Sequence, residues 1–142
     1  MLDCSHNVVN ELRRYLRGLK AKTVSHICYG DFRKIYPAVL ELPVDQLDLE
    51  FANSDFSNLE IFRDPPFTKE IAIGVLDIHS HRIETVEQVK GWIRTALEVF
   101  PPEQVYIDPD CGLKTRTWEE AEAKLKVMVQ AVAEIKSERG WA

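Results

Sequence analysis

Four short apolar runs alternate along this chain with longer segments whose apolar residues recur at helical spacing. The runs cover residues 21–27, 44–50, 70–76 and 104–107, and their composition is typical of β-strands. The third run is almost wholly apolar, as are strands that lie buried in a parallel sheet. Regular alternation of strands and helices predicts an α/β fold built on a parallel sheet.

The helices have recognisable start and stop signals. A first helix is predicted over residues 8–19, and further helices follow the N-cap candidates Asp31, Thr85 and Thr117. Thr85 and Thr117 are each followed three residues later by Gln or Glu, which is the capping-box pattern. Pro37 predicts that the second helix is short, kinked or late to begin. The last helix is expected to carry one apolar stripe made of Trp118, Ala121, Leu125, Met128, Val129, Val132 and Ile135.

The predicted order is therefore one helix followed by four strand–helix units, with a brief extra helix after residues 53–55. We expect a single domain over residues 1–142, because the chain is long enough for a core and contains no low-complexity linker. Apolar residues make up 45% of the chain and charged residues 29%, which is ordinary for a soluble globular protein.

Charge and hydropathy narrow the expected partners and location. The formal net charge is −5, so the chain lacks the basic character that nucleic-acid binding requires. No uninterrupted apolar run approaches about 18 residues, so we expect no membrane span. The first residues do not have the basic and apolar regions of a signal peptide, and a cytoplasmic location is expected.

The cysteines point to metal or thiol chemistry. Cys4, Cys28 and Cys111 are too few and too scattered for a disulfide scaffold. Cys4 is expected to be a free thiol near a loose terminus. Cys28 lies two positions after His26 at the end of the first strand run, and residues two apart in a strand point to the same side. An imidazole nitrogen and a thiol aimed at one point suit zinc.

Other polar residues follow the remaining strands: Glu50 after the second, Asp77 and His79 after the third, Asp110 and Cys111 after the fourth. The C-terminal edge of a parallel sheet is where α/β proteins build their sites, so these residues are expected to meet there. His26, Cys28, Glu50 and Cys111 then provide four ligands of types that zinc accepts. Taken singly, each has an alternative role, as a core histidine, a capping carboxylate or a small buried residue in a turn.

This ligand set also favours one kind of chemistry. Two thiolates and a carboxylate make zinc a weak Lewis acid for water, but the ion can still hold and deprotonate an incoming thiol. His79 can supply or accept a proton nearby. Asp77 is expected either to orient His79 or to satisfy polar groups of its loop. Asp110 is expected to support the ligands without binding the metal.

Four separated motifs, in order along the chain, resemble one known family. They are residues 26–32 (HICYGDF), 49–50 (LE), 74–80 (GVLDIHS) and 108–116 (DPDCGLKTR). They look like the C-terminal catalytic domain of cobalamin-independent methionine synthase, closest to its short, single-barrel members. The similarity covers nearly the whole chain from around Val8.

The resemblance implies the C-terminal half of a (β/α)₈ TIM barrel, since a complete barrel has eight strands and about 250 residues. It implies zinc held by His26, Cys28, Glu50 and Cys111. It also implies an enzyme of the 5-methyltetrahydropteroyltriglutamate–homocysteine S-methyltransferase type, which passes a methyl group to the zinc-bound thiolate of homocysteine to form methionine. The donor is expected to be methyltetrahydropteroylglutamate or a methylcorrinoid. His79 matches the family's proton donor, which would protonate the departing pterin nitrogen.

The resemblance does not fix what completes the barrel or which reaction the site serves. A lone half-barrel exposes two strand edges, so a second polypeptide or a second copy is expected to complete it. The residues that bind homocysteine and the pterin are expected to lie outside this chain. Two other functions remain as alternatives: a corrinoid-linked methyltransferase that acts on another thiol, such as coenzyme M, and a non-catalytic zinc-binding module.

Overall fold

The computed structural model describes residues 3–28, 31–57 and 59–141, without the side chains of residues 3–7 and 114. Tyr29 and Gly30 of the first motif lie outside the described residues, and so does the predicted free thiol of Cys4. Four strands form one parallel sheet in the order β1-β2-β3-β4. The strands are β1 (Val24–Ile27), β2 (Gln46–Glu50), β3 (Glu70–Gly74) and β4 (Val105–Asp108).

Four α-helices accompany the sheet: α1 (Asp3–Leu16), α2 (Phe32–Ile35), α3 (Val86–Ala96) and α4 (Trp118–Arg139). Short 3₁₀ turns lie at Ala38–Glu41, Ala52–Ser54, Leu59–Arg63, Pro102–Gln104 and Leu113–Thr115. Among the described residues, no helix has the length and apolar character that crossing a membrane requires.

The predicted parallel α/β arrangement is confirmed, and so are both capping boxes. The side chains of Thr85 and Thr117 accept the backbone N–H groups of Gln88 and Glu120, whose side chains reach back to the cap residues. The helix before Pro37 is short, since α2 has one turn and a 3₁₀ turn follows the proline. The brief helix expected after residues 53–55 is replaced by two 3₁₀ turns.

One face of the sheet forms the hydrophobic core. Its side chains alternate with those of the opposite face, so Leu47, Leu49, Ile71 and Ile73 all point to the helical side and are fully buried. An aromatic cluster extends this core through Phe32, Phe51, Phe56, Phe62, Phe67 and Phe100. The core therefore fixes the register of the strands, because a slip of one residue would expose these side chains.

The predicted apolar stripe of α4 is buried only in part. Ile135 and Ala131 are buried, but Trp118 is 80% exposed and Val129 is 63% exposed. Trp118, Ala121, Leu125 and Val129 form an apolar patch along the outer side of the helix. The helix has two apolar faces, and only one of them packs against α3 and the sheet.

The opposite face of the sheet carries polar side chains, and the candidate site lies on this face. Register pairs His26 with Asp48, Glu50 with Gly74, and Gly74 with Asp108. Because paired residues point to the same side, the polar side chains of β1, β2 and β4 gather over small residues of β3. This gathering occurs at the C-terminal edge, as the sequence predicts.

Candidate metal centre

Four side chains from three strand ends converge at the C-terminal edge of the sheet. Ligand atoms of His26, Cys28, Glu50 and Cys111 all lie within 4.8 Å of one another. His26 is on β1 and Cys28 follows that strand, Glu50 is the last residue of β2, and Cys111 lies in the loop after β4. Among the described residues, this group has the His, Cys and carboxylate donors and the spacing that could hold a metal ion.

A neighbouring strand fixes the ring of His26. Its Nδ1 lies 2.8 Å from the Oδ2 of Asp48, the residue that faces it on β2. The other ring nitrogen, Nε2, lies 3.5 Å from the Sγ of Cys111. A carboxylate on one imidazole nitrogen directs the other toward a metal. Sequence reasoning missed Asp48; its signal is its position two residues before Glu50, on the same side of the strand.

Asp48 has a second acidic neighbour. Burial, the charge of Asp48 and a side-chain hydrogen bond to it together raise the pKa of Asp108 to about 8. The raised pKa favours the protonated form of Asp108, which can donate a hydrogen bond to Asp48. A row of three side chains, His26, Asp48 and Asp108, thus runs across the polar face of the sheet.

Asp110 contacts the turn that follows β2, and its predicted role in supporting the ligands stays a prediction. Its fully buried carboxylate accepts the backbone N–H groups of Phe51, Ala52 and Asn53 at 3.1, 3.3 and 2.8 Å. The side chain of Asn53 in turn donates to the Oε2 of Glu50 at 3.0 Å. Asp110 therefore fixes the turn after β2 that places Glu50. Burial raises the pKa of Asp110 to about 7, although the three backbone hydrogen bonds oppose this shift.

The close approach of Asp110 depends on a glycine. A Cβ atom added at Gly74 would lie 2.0 Å from the Oδ1 of Asp110. Any residue with a side chain at position 74 would displace the carboxylate of Asp110 from the turn that it holds. This requirement explains why the apolar third strand ends in glycine.

The four converging side chains are rich in potential negative charge. Glu50 is 3% exposed. Burial, with hydrogen bonds to Glu50 and Cys28, raises the pKa of Cys111 to about 12. A divalent cation would supply the charge that stabilises the deprotonated ligands. The donor set therefore fits a metal ion.

The predicted proton donor lies on a different segment. His79 is exposed on the loop that follows β3 and is not one of the four converging residues. The Oδ1 of Asp77 accepts the backbone N–H of His79 at 2.8 Å, so this contact fixes the backbone. Proton transfer by His79 and orientation of its ring by Asp77 stay predictions.

Four parallel strands with their helices, and a cluster of potential metal ligands at the C-terminal edge, are the arrangement expected of part of a (β/α)₈ barrel. The family described as the catalytic domain of cobalamin-independent synthase matches residues 10–134. The chain belongs to this family, that of the cobalamin-independent methionine synthases.

Curated relatives carry matching names. A methionine synthase from Saccharolobus islandicus is 41% identical over 130 residues, which cover 92% of this chain and 39% of the relative. A 5-methyltetrahydropteroyltriglutamate–homocysteine methyltransferase from Histophilus somni is 40% identical over 114 residues, covering 80% of this chain and 15% of the relative. The chain thus spans well under half the length of these relatives.

A solved structure shows the same architecture. The B12-independent methionine synthase from Shewanella sp. W3-18-1, in complex with selenomethionine, superposes with a TM-score of 0.78 and 25% identity. The match covers 93% of this chain and 45% of that protein. The fold is therefore that of a partial TIM barrel, as the sequence predicts.

Proposed function

We propose that His26, Cys28, Glu50 and Cys111 bind zinc, and that this chain provides the zinc-binding half of a methyltransferase that converts homocysteine to methionine. One observation carries the proposal: four side chains of zinc-binding types converge within 4.8 Å in a chain of this family. Zinc suits the mixture because it accepts nitrogen, sulfur and oxygen ligands in four-coordinate sites. Harder cations such as magnesium prefer oxygen ligands throughout.

The chemistry divides between the metal and the chain. Zinc, when bound, would keep the thiol of homocysteine deprotonated and nucleophilic near neutral pH. Asp48 accepts the Nδ1 proton of His26 and leaves Nε2 available as a ligand. Asp110 and Asn53 hold Glu50 in place. His79 acts as the acid that protonates the leaving group of the methyl donor.

The names of similar proteins support the choice of substrates. The Histophilus relative is named for methyl transfer from 5-methyltetrahydropteroyltriglutamate to homocysteine. The Shewanella structure contains selenomethionine, the selenium analogue of the proposed product. A folate donor is therefore favoured here over a methylcorrinoid.

Methyl transfer requires a completed barrel. The chain matches 39% and 45% of the Saccharolobus and Shewanella proteins. The remaining strands would come from further residues of the same polypeptide, from a second polypeptide or from a second copy. They would provide the pockets for homocysteine and for the donor.

Metal content tests the zinc site directly. The purified chain is expected to contain about one zinc ion, by elemental analysis after dialysis against a weak chelator. Cys28→Ser and Cys111→Ser each remove a thiolate ligand and are expected to abolish retention of the metal. Cys4→Ser, which changes the remaining cysteine, serves as the matched control and should retain zinc.

The same measurement can contradict the proposed zinc site. A wild-type chain that folds but does not bind added zinc would contradict it. So would equal zinc retention in Cys28→Ser and wild type.

A further inference from the structure

A fully buried ion pair joins α4 to the loop that carries His79. The Nζ of Lys124 lies 2.8 and 3.0 Å from the two carboxylate oxygens of Glu84. The Lys124 side chain is 0% exposed and that of Glu84 is 2% exposed. Burying two charges costs desolvation energy, which further hydrogen bonds to both partners help to offset.

The pair holds the backbone of residues 77–84, which we call the His79 loop. The Nζ of Lys124 donates to the carbonyl oxygens of Asp77, at 3.0 Å, and Arg82, at 2.6 Å. The Oε1 of Glu84 accepts the backbone N–H of Asp77 at 3.0 Å. Asp77 is therefore fixed through both its N–H and its carbonyl group.

The contacts continue from Asp77 to His79. The carboxylate of Asp77 accepts the backbone N–H of His79 at 2.8 Å. One turn before Lys124 on α4, the Oε1 of Glu120 lies 2.8 Å from the Nδ1 of His81. The helix thus contacts the His79 loop at several points, and each contact fixes loop residues that flank His79.

We propose that Lys124 and Glu84 are positioning residues that set the place of His79 relative to the metal centre. The proposal rests on the proposed function in one respect, that His79 acts as an acid. The metal ligands come from β1, β2 and the loop after β4, and none comes from the His79 loop. Loss of the pair should therefore displace the acid while leaving metal binding intact.

The variants separate loop positioning from general stability. Lys124→Met removes the charge, and Glu84→Leu combined with it removes both charges together with the acceptor for Asp77. Replacing both members of a buried pair by apolar residues is often neutral for stability. The double variant can therefore be measured even if the single variant unfolds. Lys126→Met is the matched control, because Lys126 is on the same helix in an exposed pair with Glu122.

Two measurements on the full chain report the loop directly. Trypsin cleavage after Arg82 and hydrogen exchange at the amide of His79 are each expected to be at least about tenfold faster in the double variant. Zinc affinity should stay within about twofold of wild type, since the ligands are unchanged. Lys126→Met should match the wild type in trypsin cleavage, hydrogen exchange and zinc affinity.

Turnover distinguishes the positioning of His79 from a purely structural role, which would leave kcat unchanged. In the assembly that transfers methyl groups, the double variant should lower kcat by at least about tenfold and leave the KM for homocysteine within about twofold. Unchanged cleavage and exchange, a parallel loss of zinc, or a wild-type kcat despite a released loop would each overturn the proposal. If the wild type lacks methyl transfer, the proposed function fails, whereas cleavage and exchange still decide whether the pair holds the loop.

Discussion

At the scale of single residues, His26 uses its two ring nitrogens for different purposes. Asp48 accepts the Nδ1 proton at 2.8 Å, and Nε2 faces Cys111. Asp48→Ala removes the acceptor, so the ring can rotate or adopt the other tautomer. Zinc affinity is expected to fall about 10- to 100-fold, measured by competition with a chromophoric chelator.

The control for this change is another carboxylate distant from the C-terminal edge. Glu103 is exposed in the 3₁₀ turn before β4, and Glu103→Ala should leave the affinity unchanged. Equal affinity in Asp48→Ala and wild type would contradict a supporting role for Asp48.

Residue type and strand position predicted the convergence of His26, Cys28, Glu50 and Cys111, because side-chain alternation and strand direction are local properties. Asp48 was not predicted as a partner of His26. Its contact depends on which residue of β2 faces His26, and register is set by core packing and turns rather than by either strand alone.

At the scale of elements, the turn after β2 and the loop after β4 are joined over Gly74. A methyl group at Gly74 would overlap the Oδ1 of Asp110, which holds the backbone of Phe51, Ala52 and Asn53. Gly74→Ala is expected to destabilise the chain by about 1–3 kcal/mol in urea unfolding. It should also weaken zinc binding, because both Glu50 and Cys111 are next to the displaced groups.

A second glycine provides the contrast. Gly91 lies within α3, and an added Cβ there would meet nothing within 4 Å. Gly91→Ala should therefore stabilise the chain by about 0.5–1 kcal/mol, through the helix propensity of alanine, and leave zinc binding unchanged. Equal destabilisation by Gly74→Ala and Gly91→Ala would show that the contact between position 74 and Asp110 does not cause the effect of Gly74→Ala.

Elements were predictable where their signals are local. The capping boxes at Thr85 and Thr117 and the break at Pro37 follow from adjacent residues. Which part of the α4 stripe is buried could not be predicted, because periodicity shows which residues share a face but not whether that face is covered. Covering surfaces come from distant parts of the fold, as does the burial of Lys124.

At the scale of the whole molecule, apolar side chains remain uncovered where a barrel would continue. Val24 is 52% exposed and Tyr106 is 45% exposed on the two outer strands, and Val129 is 63% exposed on α4. In the described part of the chain, β1 and β4 each pair with a strand on one side only. Parallel sheets are normally covered on both faces and closed or protected at their edges.

These surfaces predict that the chain binds zinc alone but transfers methyl groups only after its barrel is completed. A polypeptide made of the part of the Saccharolobus relative that this chain does not match should associate with the chain and produce methionine from homocysteine and a methylated folate. Val129→Glu places a charge on the uncovered face of α4 and should weaken this association by about tenfold, with zinc content unchanged. Thr95→Glu adds the same charge to an exposed position on α3 and is the control.

The result also distinguishes the proposed enzyme from the alternatives. Association without product, when zinc is retained and a methylated folate is supplied, would contradict folate-dependent methyl transfer. Product formed only from a methylcorrinoid would identify the corrinoid-linked reaction, and no product from either donor would favour a zinc-binding module. Equal weakening by Val129→Glu and Thr95→Glu would mean that added charge, rather than the apolar face of α4, controls association.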